Sequence, residues 1–300
     1  MPLTLATFNV ENLLEPRNDV ERAAIGLKVA AVAQTLQSAS ADVAALQEVG
    51  PVSLARELAT ASSLAYGEPI AGTADDRGIR CLLLARLPVL HAQVHTAEAL
   101  RFPSFRVGDP DPFAGRIPLR RGVVHAVVRA PTIGPVHVFV VHFKSRIAVP
   151  LRDPSGVPTA EETSQARAEG VARSLAWRAA EALHVRGLVD DVLRADPSAH
   201  VVVAGDMNDV PESPVIELLC GSGEGALTDC ATRIDAPHRF SVLRAGRGQQ
   251  IDYVLATARL FDRVTDARFF NEHLAQGDAE SSGRATAGQS DHAALVVRFD

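Results

Sequence analysis

His200-Val201-Val202-Val203-Ala204-Gly205-Asp206-Met207-Asn208 is the stretch that decides the reading of this chain. A short β-branched apolar run predicts a buried strand. It stops abruptly at a glycine, a carboxylate and an amide. Residues two apart in an extended chain project to the same side, so Asp206 and Asn208 can address one point, and Gly205 lets the backbone turn or approach closely there. An amide that donates beside an ionised carboxylate that accepts is suited to orienting a water. Asp206 is therefore the first candidate for activating a nucleophile. The competing reading is a turn in which both side chains cap local backbone.

The same pattern recurs outward from that stretch. Strand-like segments fall at residues 3–9, 43–48, 79–86, 123–129, 136–144, 251–256 and 293–299. Three of them end on polar groups as the 200–206 segment does: Thr7-Phe8-Asn9-Val10-Glu11-Asn12, Leu46-Gln47-Glu48 and His142-Phe143-Lys144. Ligands of α/β sheets collect beyond strand ends. Between some strands lie helical patterns, one placing Val20, Ala24, Leu27 and Ala31 on a face and a longer one running from Val171 through Leu175, Ala182, Val185 and Val189 to Val192. Strands separated here by helices and there by hairpin-like turns predict mixed sheets covered by helices, in one α/β domain over residues 1–300. Polar or Pro/Gly-rich stretches at 101–119, 145–165 and 271–290 read as long loops.

Two further constellations carry chemistry. Asp252 sits inside an apolar strand, where a carboxylate needs a partner, and could hold and polarise His292 of Ser290-Asp291-His292. Glu48 follows Ala44 and Leu46 on one face of a buried-looking strand and needs either a cation or an arginine there. Oxygen ligands without cysteine point to Mg²⁺ or Mn²⁺ rather than zinc.

Composition bounds the rest. With 47% hydrophobic and 22% charged residues the chain is an ordinary folded one. Its apolar runs fall short of the roughly 20 residues that cross a bilayer, so no membrane insertion is expected, and nothing suggests an obligatory protein partner. Met1-Pro2-Leu3-Thr4 enters a strand-like pattern with no secretory signal. Cys81, Cys220 and Cys230 lack metal spacing and form an odd set, so reduced thiols in the cytoplasm are expected. A net charge of −6 opposes coating of nucleic acid. Between Arg101 and Arg152, however, nine basic residues face two acidic ones, a local surplus that suits an anionic substrate.

Taken in order, the motifs at 7–12, 46–48, 142–145, 205–209 (Gly-Asp-Met-Asn-Asp), 251–253 (Ile-Asp-Tyr) and 290–292 resemble the endonuclease/exonuclease/phosphatase superfamily. That resemblance implies a four-layer sandwich, two packed mixed β-sheets flanked by helices, as in deoxyribonuclease I. It implies Glu48 as direct metal ligand, with Asn9 and Asp291 completing the surroundings of Mg²⁺ or Mn²⁺. Asp206 would orient or deprotonate water, Asn208 would position it, and His292, paired with Asp252, would contact the scissile phosphate. His142 stands where the deoxyribonuclease I and sphingomyelinase branches carry a second histidine. Arg80, Arg121 and Lys144 are candidate phosphate contacts. The activity so implied is phosphodiester hydrolysis by metal-assisted attack of water, with a nuclease as first reading and nucleic acid as substrate. A phosphatase or phospholipase C-like hydrolase comes second, since aromatic content of 5% leaves few platforms for base stacking. A non-catalytic binding module is the third, and it predicts a lost catalytic position where none is missing.

Overall fold

A computed structural model describes residues 2–159, 163–274 and 288–300. Two six-stranded mixed sheets lie face to face. Sheet A is built from β1 (Leu3–Leu13), β2 (Val43–Val49), β3 (Ile70–Ala71), β4 (Arg80–Ala85), β13 (Val264–Phe270) and β14 (Ala294–Phe299), in the order β13-β14-β1-β2-β4-β3. Sheet B takes the middle of the chain: β5 (Val89–His95), β6 (Val123–Ala130), β7 (Gly134–His142), β8 (His200–Asp206), β9 (Leu227–Asp229) and β12 (Asp252–Thr257), in the order β5-β6-β7-β8-β12-β9. A hairpin, β10 (Val242–Arg244) with β11 (Arg247–Gln249), stands apart. Each sheet has one parallel pair, β1 with β2 and β7 with β8, and antiparallel pairs elsewhere.

Alternation along the strands makes the layers. Leu3 and Leu5, Val43 and Ala45, Val138 and Val140, Val202 and Ala204, and Val254 and Ala256 meet in the core between the sheets. The opposite faces are covered by helices: α1 (Asp19–Ala39) and α2 (Val52–Ala61) lie on sheet A, and α3 (Ser164–Ala195) and α4 (Pro214–Cys220) on sheet B. A short α5 (Ala258–Phe261) follows β12. Helix starts are fixed by side-chain caps, with Asn18 accepting from the Glu21 amide and Thr163 from the Ala166 amide. The result is the four-layer sandwich that the motif order implies.

Two expectations need correction. The helical face of Val20, Ala24, Leu27 and Ala31 is not the buried one: Val20 is 80% exposed, and α1 seats Val29, Val32, Ala33 and Leu36 on sheet A. Alanines on every side of this helix leave its phase undetermined by composition, and the sheet's own apolar face decides it. In α3 the inward stripe holds only in the C-terminal half, since Val171 and Leu175 face solvent. Residues 164–165, read as loop, already belong to α3, and parts of the expected loops at 160–162 and 275–287 lie outside the described residues.

Candidate active site

Register alone assembles half of the site. His142 pairs with Asp206 across the parallel β7–β8 ladder, and Asp206 with Asp252 across the antiparallel β8–β12 ladder. All three continue the inward-facing alternation, so they form a row at one end of sheet B, aimed at sheet A. Gly205 permits that row, because a Cβ there would stand 1.9 Å from the Val141 carbonyl oxygen. Met207 and Asn208 leave the ladder, Asn208 in a left-handed conformation at φ +53°. Its amide donates to Asp206 Oδ2 at 3.2 Å and to the Phe143 carbonyl at 3.1 Å, and its backbone N–H donates to Asp206 Oδ1 at 2.9 Å.

Sheet A supplies the other half. Asn9 shares the inward face of Leu5, and its Nδ2 donates across the seam to Asp206 Oδ2 at 2.9 Å. Glu48 arrives differently from the expected alternation, for Ala44 and Leu46 face the α1–α2 layer. A register shift between Leu46 and Val49 and a left-handed Glu48 at φ +60° turn its carboxylate toward sheet B, 3.9 Å from His142 Nε2. The backbone N–H of Asn12, itself in a left-handed turn, donates to the other Glu48 oxygen at 3.0 Å. The segment before β14 is tied down by Ser290, whose hydroxyl donates to the Asn9 carbonyl at 2.7 Å and accepts from the His292 amide at 3.1 Å. His292 Nδ1 then meets Asp252 Oδ2 at 2.8 Å, while Nε2 lies 3.8 Å from Asp291 and 4.0 Å from Asp206.

The two histidines have opposite electrostatics. Burial lowers the His142 pKa, and the guanidinium of Arg121, 2.5 Å from Nδ1, lowers it further. Because that nitrogen must accept, the proton of neutral His142 sits on Nε2 and points to Asp206 at 3.4 Å. Burial also opposes charge on His292, but Asp252, Asp206 and Asp291 outweigh it and raise the pKa to about 10. Asp206, nearly inaccessible, is pushed upward by burial and by the charge of Asp252. Ligand atoms of Asp206, Asp252 and His292 lie within 4.8 Å of one another, close enough to share an ion.

Asn9, Glu48, His142, Asp206, Asn208, Asp252, Asp291 and His292 are thus brought together, and Arg121 joins them through His142. Lys144 and Arg80 are not. The Lys144 ammonium turns into its own loop, donating to the carbonyls of Ser145 and Ile147. Arg80 lines a neighbouring hollow of 680 Å³ with Arg77 and Arg17. Residues that the sequence reading missed act as supports. Arg77 bonds Asn12 and lies 3.7 Å from Glu48, and the little-exposed carboxylate of half-buried Asp75 faces Arg121 at 3.8 Å. The run Asp75-Asp76-Arg77-Gly78 carries their only signal, a charged turn before an apolar strand.

Fold and site define a class, a two-sheet α/β sandwich with carboxylates, amides and imidazoles converging at one end of the seam. Within that class the chain belongs to the endonuclease/exonuclease/phosphatase family, whose model matches residues 6–292, a span holding every residue of the cluster. Members of the family are phosphoester hydrolases. Among solved structures the chain is similar to truncated TDP2 of Caenorhabditis elegans (TM-score 0.61, 15% identity, covering 99% of this chain and 97% of that one). It is also similar to an AP endonuclease from Archaeoglobus fulgidus (0.58, 16%, 99% of each) and a mannosyl-6-phosphatase of Bacteroides thetaiotaomicron (0.61, 14%, 98% of each). At these identities the likeness concerns fold. A search of curated protein sequences found no match.

Proposed function

We propose that this chain, acting as one domain, is a divalent-metal-dependent phosphodiesterase, with nucleic acid as the substrate class to test first. The observation that carries the reading is the set of three contacts bridging the sheets: Asn9 to Asp206, His292 to Asp252, and Glu48 to His142. They aim a base, a neutral N–H donor and an imidazolium at one mouth.

The donor set fits a hard cation. Carboxylates of Glu48 and Asp291 and the amide of Asn9 are oxygen ligands of the kind Mg²⁺ or Mn²⁺ takes. Asp252 Oδ1 is buried without a hydrogen-bond partner among the described residues, and burial together with the charge of Asp252 holds Asp206 upward, a cost that a cation nearby would offset. We assign the ion to Glu48, Asn9 and Asp291 rather than to Asp206, Asp252 and His292, because His292, with its pKa raised to about 10, is an imidazolium and has no lone pair for a cation. Bound there, the ion would neutralise charge growing on the phosphoryl oxygens. Asp206, steadied by Asn9 and Asn208, takes the proton of the attacking water. His142 donates from Nε2 to a non-bridging oxygen, and His292 gives its proton to the leaving oxygen. Arg121 fixes the His142 tautomer.

Hydrolysis of bis-p-nitrophenyl phosphate tests this directly. It should require Mg²⁺ or Mn²⁺, stop with chelator, and be lost in Asp206→Ala and His292→Ala. Activity indifferent to chelator and to both substitutions removes the mechanism. Cleavage of a monoester with the diester untouched would favour the phosphatase reading, which the sparse aromatics support. Glu48→Gln separates the two ion assignments by raising the Mg²⁺ needed for half-maximal rate. A cytoplasmic setting belongs to the same proposal and rests on free thiols at Cys81, Cys220 and Cys230. Among the described residues no helix is long and apolar enough to cross a membrane.

A further inference from the structure

The hollow of 680 Å³ that Arg80 lines lies at the same end of sheet A as the site but on the other face of that sheet. Arg80 opens β4 and pairs with Val49, the residue after Glu48. It alternates in step with Leu82 and Leu84, which point to the α1–α2 layer, so its side chain leaves the sheet on the side away from the seam. The two places share a wall. Arg77, on the rim of the hollow, bonds the Asn12 side chain and comes within 3.7 Å of Glu48.

The charges around the hollow do not cancel. Its two carboxylates are already engaged, Glu21 by Arg17 at 2.8 Å and Glu15 by Arg22 at 3.8 Å. Arg77 is shared with Glu48. Arg80 is left over: it is half-buried, its Nε is shut off from water without a hydrogen-bond partner, and among the described residues no carboxylate pairs with it. A guanidinium held in this way needs a counter-charge, and its planar fork suits the oxygens of a phosphate. Beside it the wall is apolar, formed by Leu14, Pro16, Ile25 and Pro51.

We propose that this hollow is a subsite for a second phosphate of the substrate, one linkage away from the scissile group, with Arg80 as its main contact and Arg77 as the bridge between the two places. Leu14, Pro16 and Ile25 cover the less polar stretch that joins the phosphates. This subsite rests on the phosphodiesterase reading above and adds to it a preference for substrates that carry two phosphates in succession.

Calorimetry on full-length Asp206→Asn, which binds without turnover, tests the subsite in Mg²⁺ with thymidine 3′,5′-bisphosphate and the two thymidine monophosphates. The bisphosphate should bind at least about tenfold more tightly than either monophosphate, the worth of a hydrogen bond to a charged group, and adding Arg80→Gln should erase that advantage. Ala24→Glu, at an exposed α1 position on the rim, should erase it too by bringing in a negative charge. As a single substitution it should leave hydrolysis of bis-p-nitrophenyl phosphate at the wild-type rate. Equal affinity for bisphosphate and monophosphates, or an advantage that survives Arg80→Gln, overturns the subsite. Should Arg80→Gln fail to fold by circular dichroism, survival of the advantage in Ala24→Glu overturns it instead. Dithymidylate phosphorylated at both ends, set against trithymidylate, identifies the source: tighter binding of the former assigns a terminal monoester, and equal binding assigns the next diester of a strand. Bis-p-nitrophenyl phosphate carries a single phosphate, so its hydrolysis judges the catalytic reading while calorimetry judges the subsite, and either can fail alone.

Discussion

Asp206 is buried, faces Asp252 across the ladder, and has an imidazole on either side. A carboxylate so placed is costly unless a cation is near, which is how functional positions trade against stability. Asp206→Asn should therefore lower kcat by about 10²- to 10⁴-fold, the range for a positioned base. Its melting temperature with chelator present should equal or exceed that of the wild type. Glu181 on α3 offers a different pH signature. Burial raises its carboxyl to about 7 from an ordinary 4.5, and it accepts the Lys144 amide at 2.6 Å. Between those values the folded chain keeps a proton that the unfolded chain has released, so stability falls as pH rises from about 4.5 to about 7. Glu181→Gln retains the acceptor and should flatten that slope, gaining up to about 3 kcal/mol at pH 8 by chemical denaturation. At this scale, the identities of Asp206 and Glu48 were legible because each is a polar group ending an apolar run, and that of His292 because it directly precedes one. The route of Glu48 into the site was not, since a left-handed residue and a register shift leave no mark on hydrophobic alternation.

Elements divide by how much apolar surface they bury. Strands with both faces covered, such as β7 and β8, read directly as valine-rich runs, whereas β5 is exposed over most of its length and β3 has two residues, so neither carries a pattern. The phase of α1 was hidden by its alanines. Substitution separates its faces: Val20→Gln should change stability by less than about 0.5 kcal/mol, while Leu36→Ala, fully buried, should cost about 2–5 kcal/mol by urea denaturation. Gly205 marks where two elements are held too close for any side chain. Gly205→Ala must part β7 from β8 and should cost at least about 2 kcal/mol together with most of the activity, read from melting and initial rates on one preparation.

The molecule as a whole keeps its site on a seam, with Asn9, Glu48 and His292 carried by sheet A and His142, Asp206 and Asp252 by sheet B. Catalytic geometry thus depends on how the inner faces pack, and displacement by about 1 Å can cost 10²-fold in rate. Leu83→Ala, in the inter-sheet core, should lower kcat severalfold more than Leu219→Ala, equally buried but in the layer outside sheet B. Equal loss of rate from both would assign the effect to stability alone and remove the alignment argument. The four layers were legible only through the resemblance that the motif order carries, while strand composition by itself indicated mixed sheets covered by helices. The seam's contacts were not, because they join residues such as Asn9 and His292, 283 positions apart, whose meeting depends on β14 lying against β1. That pairing has a kinetic consequence. Closing so distant a ladder is the slowest kind of contact to make, so a chain diluted from denaturant should recover its far-ultraviolet dichroism first and its first turnover only after β14 has found its neighbour.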